Sequence, residues 1–136
     1  MKKQKIGRWG EKKAALYLRR CKNYLIWAKN VRFPVGEIDL IAIDSDTLVF
    51  VEVKTRKEDV SALSSGLNAV NKEKERRLDS ARYSFVRKNR MQINRLRLSK
   101  ERFEIIEIVY RDGWLRRKVI RVRSSVSRST VDLMQP

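Results

Sequence analysis

Apolar positions recur along residues 3–22 with the 3.6-residue period of a helix. Ile6, Gly10, Ala14, Tyr17 and Cys21 share one face, with Lys and Arg between them. Asn23 then stands where a helix stops. Residues 24–32 are rich in aromatic and β-branched types and predict a strand, and Phe33-Pro34-Val35-Gly36 marks a turn. Residues 37–43 and 48–54 predict two more strands around a short hairpin turn, Asp44-Ser45-Asp46-Thr47. Residues 56–68 are polar, contain Ser-Ser-Gly and read as a loop. The helical period returns over 70–90, with Val70, Lys74, Leu78, Ala81 and Phe85 as its stripe. Strands follow at 103–110 and 117–123, separated by Arg111-Asp112-Gly113. From Ser124 the chain is Ser-rich and reads as a flexible, fraying tail. The order α-β-β-β-α-β-β predicts an α/β fold with a mixed sheet flanked by helices. It forms one domain over 1–123, with a single crossover helix between the third and fourth strands.

The first hairpin carries the sharpest chemistry. With a two- or four-residue turn, paired residue numbers sum to 91. Asp39 is then expected opposite Glu52, and Glu37 opposite Lys54. By the two-residue alternation all four point to one face, together with Ile41, Leu48 and Phe50. A three-residue turn would shift this register by one. Like charges directly opposed across a hairpin are destabilising unless a cation, a shared proton or solvent lies between them. Val49-Phe50-Val51 and Val53 mark a buried central strand, where a Glu and a Lys are costly unless paired or liganded. Glu37 has an ordinary alternative as the cross-strand partner of Lys54.

Composition narrows the chemistry. The 136 residues suit one domain. There is no histidine, hence no histidine base and no Ser-His or Cys-His pair. The lone Cys21 allows no internal disulfide and no zinc cage, and fits a reducing, cytoplasmic setting. The net charge is +17, which favours a polyanionic partner. It is unevenly spread: residues 1–32 carry +10 and residues 72–102 carry +8, whereas residues 33–71 carry −4. A negative island in a positive chain is either ordinary solvated surface or a place to hold a divalent cation against a polyanion. Mg²⁺, or Mn²⁺ in its place, suits one or two carboxylates plus waters and phosphate oxygens, and acidifies bound water where no histidine can serve. Lys54 would orient that nucleophile or stabilise charge on phosphate. The expected reaction is metal-assisted phosphodiester hydrolysis. No apolar run approaches the ~20 residues of a membrane span, and no apolar stretch follows the basic start as in a secretory signal.

Asp39 followed by Glu52-Val53-Lys54 resembles the PD-(D/E)xK nuclease signature. More closely, the chain resembles the bacterial YraN-like family, related to archaeal Holliday-junction resolvases. The likeness lies in Gly10-Glu11 with Ala14 and Leu18, Asn30 and Arg32, the runs Gly36–Ala42 and Val49–Lys54 with Arg56, and Ala69-Val70 with Lys74 and Leu78. It covers roughly residues 7–83. It implies a restriction-endonuclease-like core, with Asp39 and Glu52 as metal ligands, the Val53 carbonyl as a third, Lys54 as the catalytic lysine and Glu11 as an extra helix-borne acid. Glu11 is otherwise a lone acid in a basic helix. The family's glycine after the first helix is replaced by Lys22-Asn23, and the C-terminal third matches poorly. Resolvases cut two strands as dimers, so the resemblance also implies a homodimer.

The first helix, Lys72 to Arg102 and Arg116 to Arg123 are expected to supply sequence-independent phosphate contacts, with Arg8, Lys12, Arg56 and Lys74 as the candidate nucleic-acid-binding residues. Lys74 lies on a core stripe, so it either faces the site or snorkels to the surface. No signature of sequence-specific readout is present, which favours recognition of branched or structured DNA by shape. Trp9, Trp27, Trp114 and Tyr83 are either core aromatics or base-stacking platforms. The leading expectation is a metal-dependent endonuclease. Its rivals are a non-catalytic DNA- or RNA-binding module on the same fold and a structural protein of an RNA assembly.

Overall fold

A computed structural model describes residues 2–58 and 72–133. The first apolar stripe is helix α1 (Lys2–Arg20). It stops as predicted, with Asn23 at a φ of 60°, a conformation Asn tolerates better than most side chains. Cys21 therefore falls beyond the helix and is exposed, and Leu18 closes the buried face instead. The chain continues through β1 (Leu25–Phe33), β2 (Gly36–Asp44), β3 (Thr47–Lys57), α2 (Lys72–Lys88), α3 (Arg90–Arg95), β4 (Lys100–Asp112) and β5 (Arg117–Asp132).

The five strands form one sheet in sequence order. β3 and β4 are parallel, because a helical crossover joins them; the other neighbours are antiparallel. The fold is α/β, a mixed sheet flanked by helices, consistent with a restriction-endonuclease-like core. α1 covers one face, packing Ala14 and Leu18 on Leu40, Ala42, Val49 and Val51. α2 and α3 cover the other, where Ala81, Phe85 and Ile93 meet Ile41, Leu48 and Phe50. Burial on both faces explains the continuous apolar runs of β3 and β4.

Three boundaries differ from the sequence pattern. Arg56 and Lys57 belong to β3 rather than to a loop; residues 59–68 of that predicted loop, and Val70, lie outside the described residues. The second helical region breaks at Asn89, and α3 follows as a separate short helix. The largest difference is at the end of the chain. β5 passes Ser124 without interruption, and its ladder with β4 reaches Lys100↔Asp132, with Leu133 buried beyond it. A fraying tail was expected because Ser and Arg offer no apolar stripe. An edge strand needs backbone pairing more than side-chain burial, and β4 supplies the pairing.

Candidate active site

The β2–β3 ladder has the predicted register, from Asp44↔Thr47 to Leu40↔Val51, and it ends there. Beyond it the strands fork. The Val53 N–H donates to Asp39 Oδ2 at 2.8 Å, so a carboxylate takes the place of a strand carbonyl. On the other side of β2, Asn30 takes a φ of 51°, and the β1–β2 ladder steps from Lys29↔Leu40 to Val31↔Ile38 without pairing Asn30 and Asp39. Side-chain alternation slips across this point. Ile38 packs on the α2 side, Leu40 on the α1 side. Asp39 therefore does not share a regular face with Glu37 and Glu52, and neither expected pair, Asp39/Glu52 or Glu37/Lys54, belongs to the ladder. Glu37 instead meets its β1 neighbour Arg32 at 3.7 Å.

A cleft of about 1170 Å³ opens at the fork. Two glycines set its walls. A Cβ on Gly10 would lie 1.8 Å from Thr55 Oγ1, so only glycine lets α1 press onto β3 there. A Cβ on Gly36 would lie 2.6 Å from the Arg77 carbonyl oxygen, so the β1–β2 turn sits directly on α2. These contacts bring Glu11 from α1, Asp39 from β2, Glu52 from β3 and Lys74 from α2 to one cleft.

The electrostatics are those of crowded, desolvated acids. Burial pushes the Asp39 carboxyl up to about 7. The Val53 N–H opposes this rise, and the nearby Glu11, Glu52 and Glu37 add to it. Glu11 is also raised, first by burial, against a lowering hydrogen bond from the Asn30 side chain. Glu52 is 6% exposed and forms an ion pair with Lys74. Its Oε2, and Oε2 of Glu11, are buried and take no hydrogen bond from a described residue. Such orphaned oxygens want a cation or a donor. Among the described residues no three His, Cys, Asp or Glu gather closely enough to cage a metal. The donor set therefore fits a hard divalent cation held by one or two carboxylates and completed by water and phosphate, rather than a closed protein cage. The Val53 carbonyl suits that arrangement, since the N–H and C=O of one strand residue point to the same edge, here toward Asp39.

The remaining predicted residues separate into two groups. Arg56 lines the cleft and bonds the buried Glu107 at 3.1 Å. Lys54 is half-buried on β3, beside Glu107 in the parallel register, and does not line the cleft. Arg8 and Lys12 are exposed on α1 and do not line it either; Arg8 is close enough to lower the Glu11 pKa. Sequence reasoning assigned no site role to Asn30, Arg32 or Arg77. Asn30 had a usable signal, since Asn inside an apolar strand is a natural left-handed residue. Arg32 stood with Asn30 among the residues of the family resemblance; Arg77 had no signal, because only folding brings the β1–β2 turn against α2.

Comparison with known proteins follows the same stretch of chain. The profile of the uncharacterised protein family UPF0102 matches residues 10–108. A UPF0102 protein of Desulfosudis oleivorans is 35% identical over 111 residues, 82% of this chain and 84% of that one. One of Alkaliphilus oremlandii is 40% identical over 105 residues, 77% of this chain and 85% of that one. One of Chloroflexus aurantiacus is 40% identical over 84 residues, 62% of this chain; the match spans 65% of that relative's length.

Proposed function

The chain belongs to the UPF0102 family, and from its cleft we propose a metal-dependent nuclease of the PD-(D/E)xK superfamily that hydrolyses phosphodiesters in branched or structured DNA. The observation that carries this reading is the Asp39 carboxylate at the β2–β3 fork, bonded to the Val53 N–H beside the buried Glu52. Asp39, Glu52 and the Val53 carbonyl would hold Mg²⁺ or Mn²⁺. When bound, that cation supplies activation of water at neutral pH and neutralisation of phosphate charge.

The chain's own residues do the rest. Glu52 offers its unengaged Oε2, and Asp39 gives up its proton near neutrality. Glu11 borders the cleft as a further acid, held by Asn30. The motif implies the catalytic-lysine role for Lys54, two residues beyond Glu52 on β3, although its side chain does not line the cleft in this structure. Lys74 is the lysine already at the carboxylates, and its half-exposed side chain also suits a phosphate. Arg56, Arg77 and Arg32 border the cleft and favour a polyanionic backbone. The same reading carries DNA, with RNA as the alternative polyanion, as substrate, a homodimer that cuts paired strands, and a bacterial cytoplasmic location.

The test is cleavage of junction, flap and linear DNA with Mg²⁺ or Mn²⁺. Metal-dependent cutting of the branched substrates, lost in Glu52→Ala, is the expected result. Metal-independent cutting, or a fully active Glu52→Ala, rejects the assignment. A second reading, a non-catalytic DNA- or RNA-binding protein, is favoured by one observation: an ammonium rather than a third acid meets Glu52. It predicts salt-sensitive binding without turnover, and no metal uptake by calorimetry.

A further inference from the structure

The β4–β5 hairpin carries two large apolar side chains that the fold leaves in water: Trp114 is 95% exposed and Leu115 84%. Their display is built rather than loose. The strands pair up to Asp112↔Arg117, and the Gly113 N–H donates to the Arg116 carbonyl at 2.9 Å, which closes the tip. Asp112 is held by Lys57 at 3.3 Å and Arg117 at 3.5 Å. The Arg117 guanidinium lies over the rings of Trp9 and Tyr110, 5.1 and 5.2 Å from their centroids. Arg116 and Lys118 flank the tip, exposed, and neither pairs with a carboxylate among the described residues.

We infer that this tip is a base-stacking wedge for DNA: Trp114 packs on an unpaired base while Arg116 and Lys118 hold the adjoining phosphates. Charge complementarity selects the occupant, since a rigid aromatic between unpaired cations matches a base between phosphates. Two apolar side chains are too few to anchor a chain on a lipid surface, which takes a broad apolar face. Position supports the choice. Tyr110 and Lys57 line the acidic cleft, Tyr110 edges onto Trp9 and Lys57 binds the hairpin base, so tip and cleft adjoin. The wedge deepens the proposed function by naming its substrate feature, a duplex with an unpaired base beside a branch. It rests on that reading only for the strand it would feed to the cleft.

The experiment is binding by fluorescence anisotropy in EDTA, so that no cleavage occurs. The probes are a fluorescein-labelled forked duplex with 2-aminopurine at the unpaired base beside the branch, and a continuous duplex of equal length. Trp114→Ala is expected to weaken fork binding about tenfold, the scale of one stacked base. It leaves the duplex within about twofold and the salt dependence unchanged. Trp114→Phe retains most of the fork affinity, and the 2-aminopurine quenching seen with the parent chain disappears in Trp114→Ala. Equal fork binding by Trp114→Ala, or an equal loss on both DNAs, overturns the wedge. So does binding to phosphatidylglycerol vesicles that depends on Trp114 when fork binding does not. Intact stacking without Mg²⁺-dependent cleavage would remove the nuclease reading and leave the wedge standing.

Discussion

Lys74 on α2 places its ammonium on the Glu52 carboxylate of β3. The pair joins a side chain that is 48% exposed to one that is 6% exposed, so the lysine neutralises a charge that water barely reaches. It also marks which helix closes the fork, because α2 and β3 otherwise meet through the apolar cluster deeper in the sheet.

Replacing Lys74 by Met leaves Glu52 buried and unneutralised. A loss of about 1–3 kcal/mol in unfolding free energy is expected, below that of a fully buried pair because the lysine is half in water. Lys74→Met combined with Glu52→Gln should recover most of that loss. Urea titration of the four proteins in a double-mutant cycle gives the coupling; additive losses would mean the pair contributes nothing.

Metal-free stability should depend on pH through Asp39. Its folded carboxyl titrates near 7, above the ordinary value near 4. Between those values the folded chain keeps a proton that the unfolded chain has released. The Asp39 contribution to stability is therefore fully present below about pH 4, is lost as pH rises toward 7 and is flat above it. At roughly 1.4 kcal/mol per pH unit, the change amounts to several kcal/mol at most. Urea midpoints at pH 5 and 7.5 in EDTA should differ for the parent chain and much less for Asp39→Asn.

Gly10→Ala should force α1 off β3. The added methyl carbon would overlap Thr55 Oγ1, and Thr55 lies on a paired strand that cannot yield cheaply. Overpacking of this kind costs about 1–3 kcal/mol. Because α1 carries Glu11, cleft function should fall with it. Thr55→Ala removes the nearest clashing atom and should restore part of the thermal midpoint.

Truncation after Arg123 tests the end of the chain. It removes the β5 residues that pair with Lys100 to Ile106 and also the buried Leu133. The shortened chain should melt several degrees lower, or fail to fold, in a calorimetric scan. A chain ending at Leu133 keeps the ladder and the buried Leu133, and should remain close to the parent.

The legible part of this protein was its local part. Strand identity, the two-residue turn at Ser45-Asp46 and the 91-sum register all follow from alternation and turn chemistry that neighbours in sequence settle between themselves. The site was legible as a set of acids on β2 and β3, but its geometry was not. Period-two reasoning assumes an unbroken strand, and Asn30 and Asp39 break it where the sheet forks. Lys54, the lysine prominent in sequence, stays on β3 outside the cleft, whereas Lys74, some twenty residues on, reaches Glu52 from another element.

The sequence by itself determined the elements other than α3, their order, the buried central strands and the residue types available for chemistry: carboxylates and lysines, with no histidine. Those follow from short-range periodicity and composition, which need no knowledge of what packs where. The tertiary structure alone decided the counter-ion of Glu52, the fork at Asp39, the pairing of β5 beyond Ser124 and the exposure of Trp114. Each is set by contacts between residues distant in the chain, where close packing and burial override the local pattern.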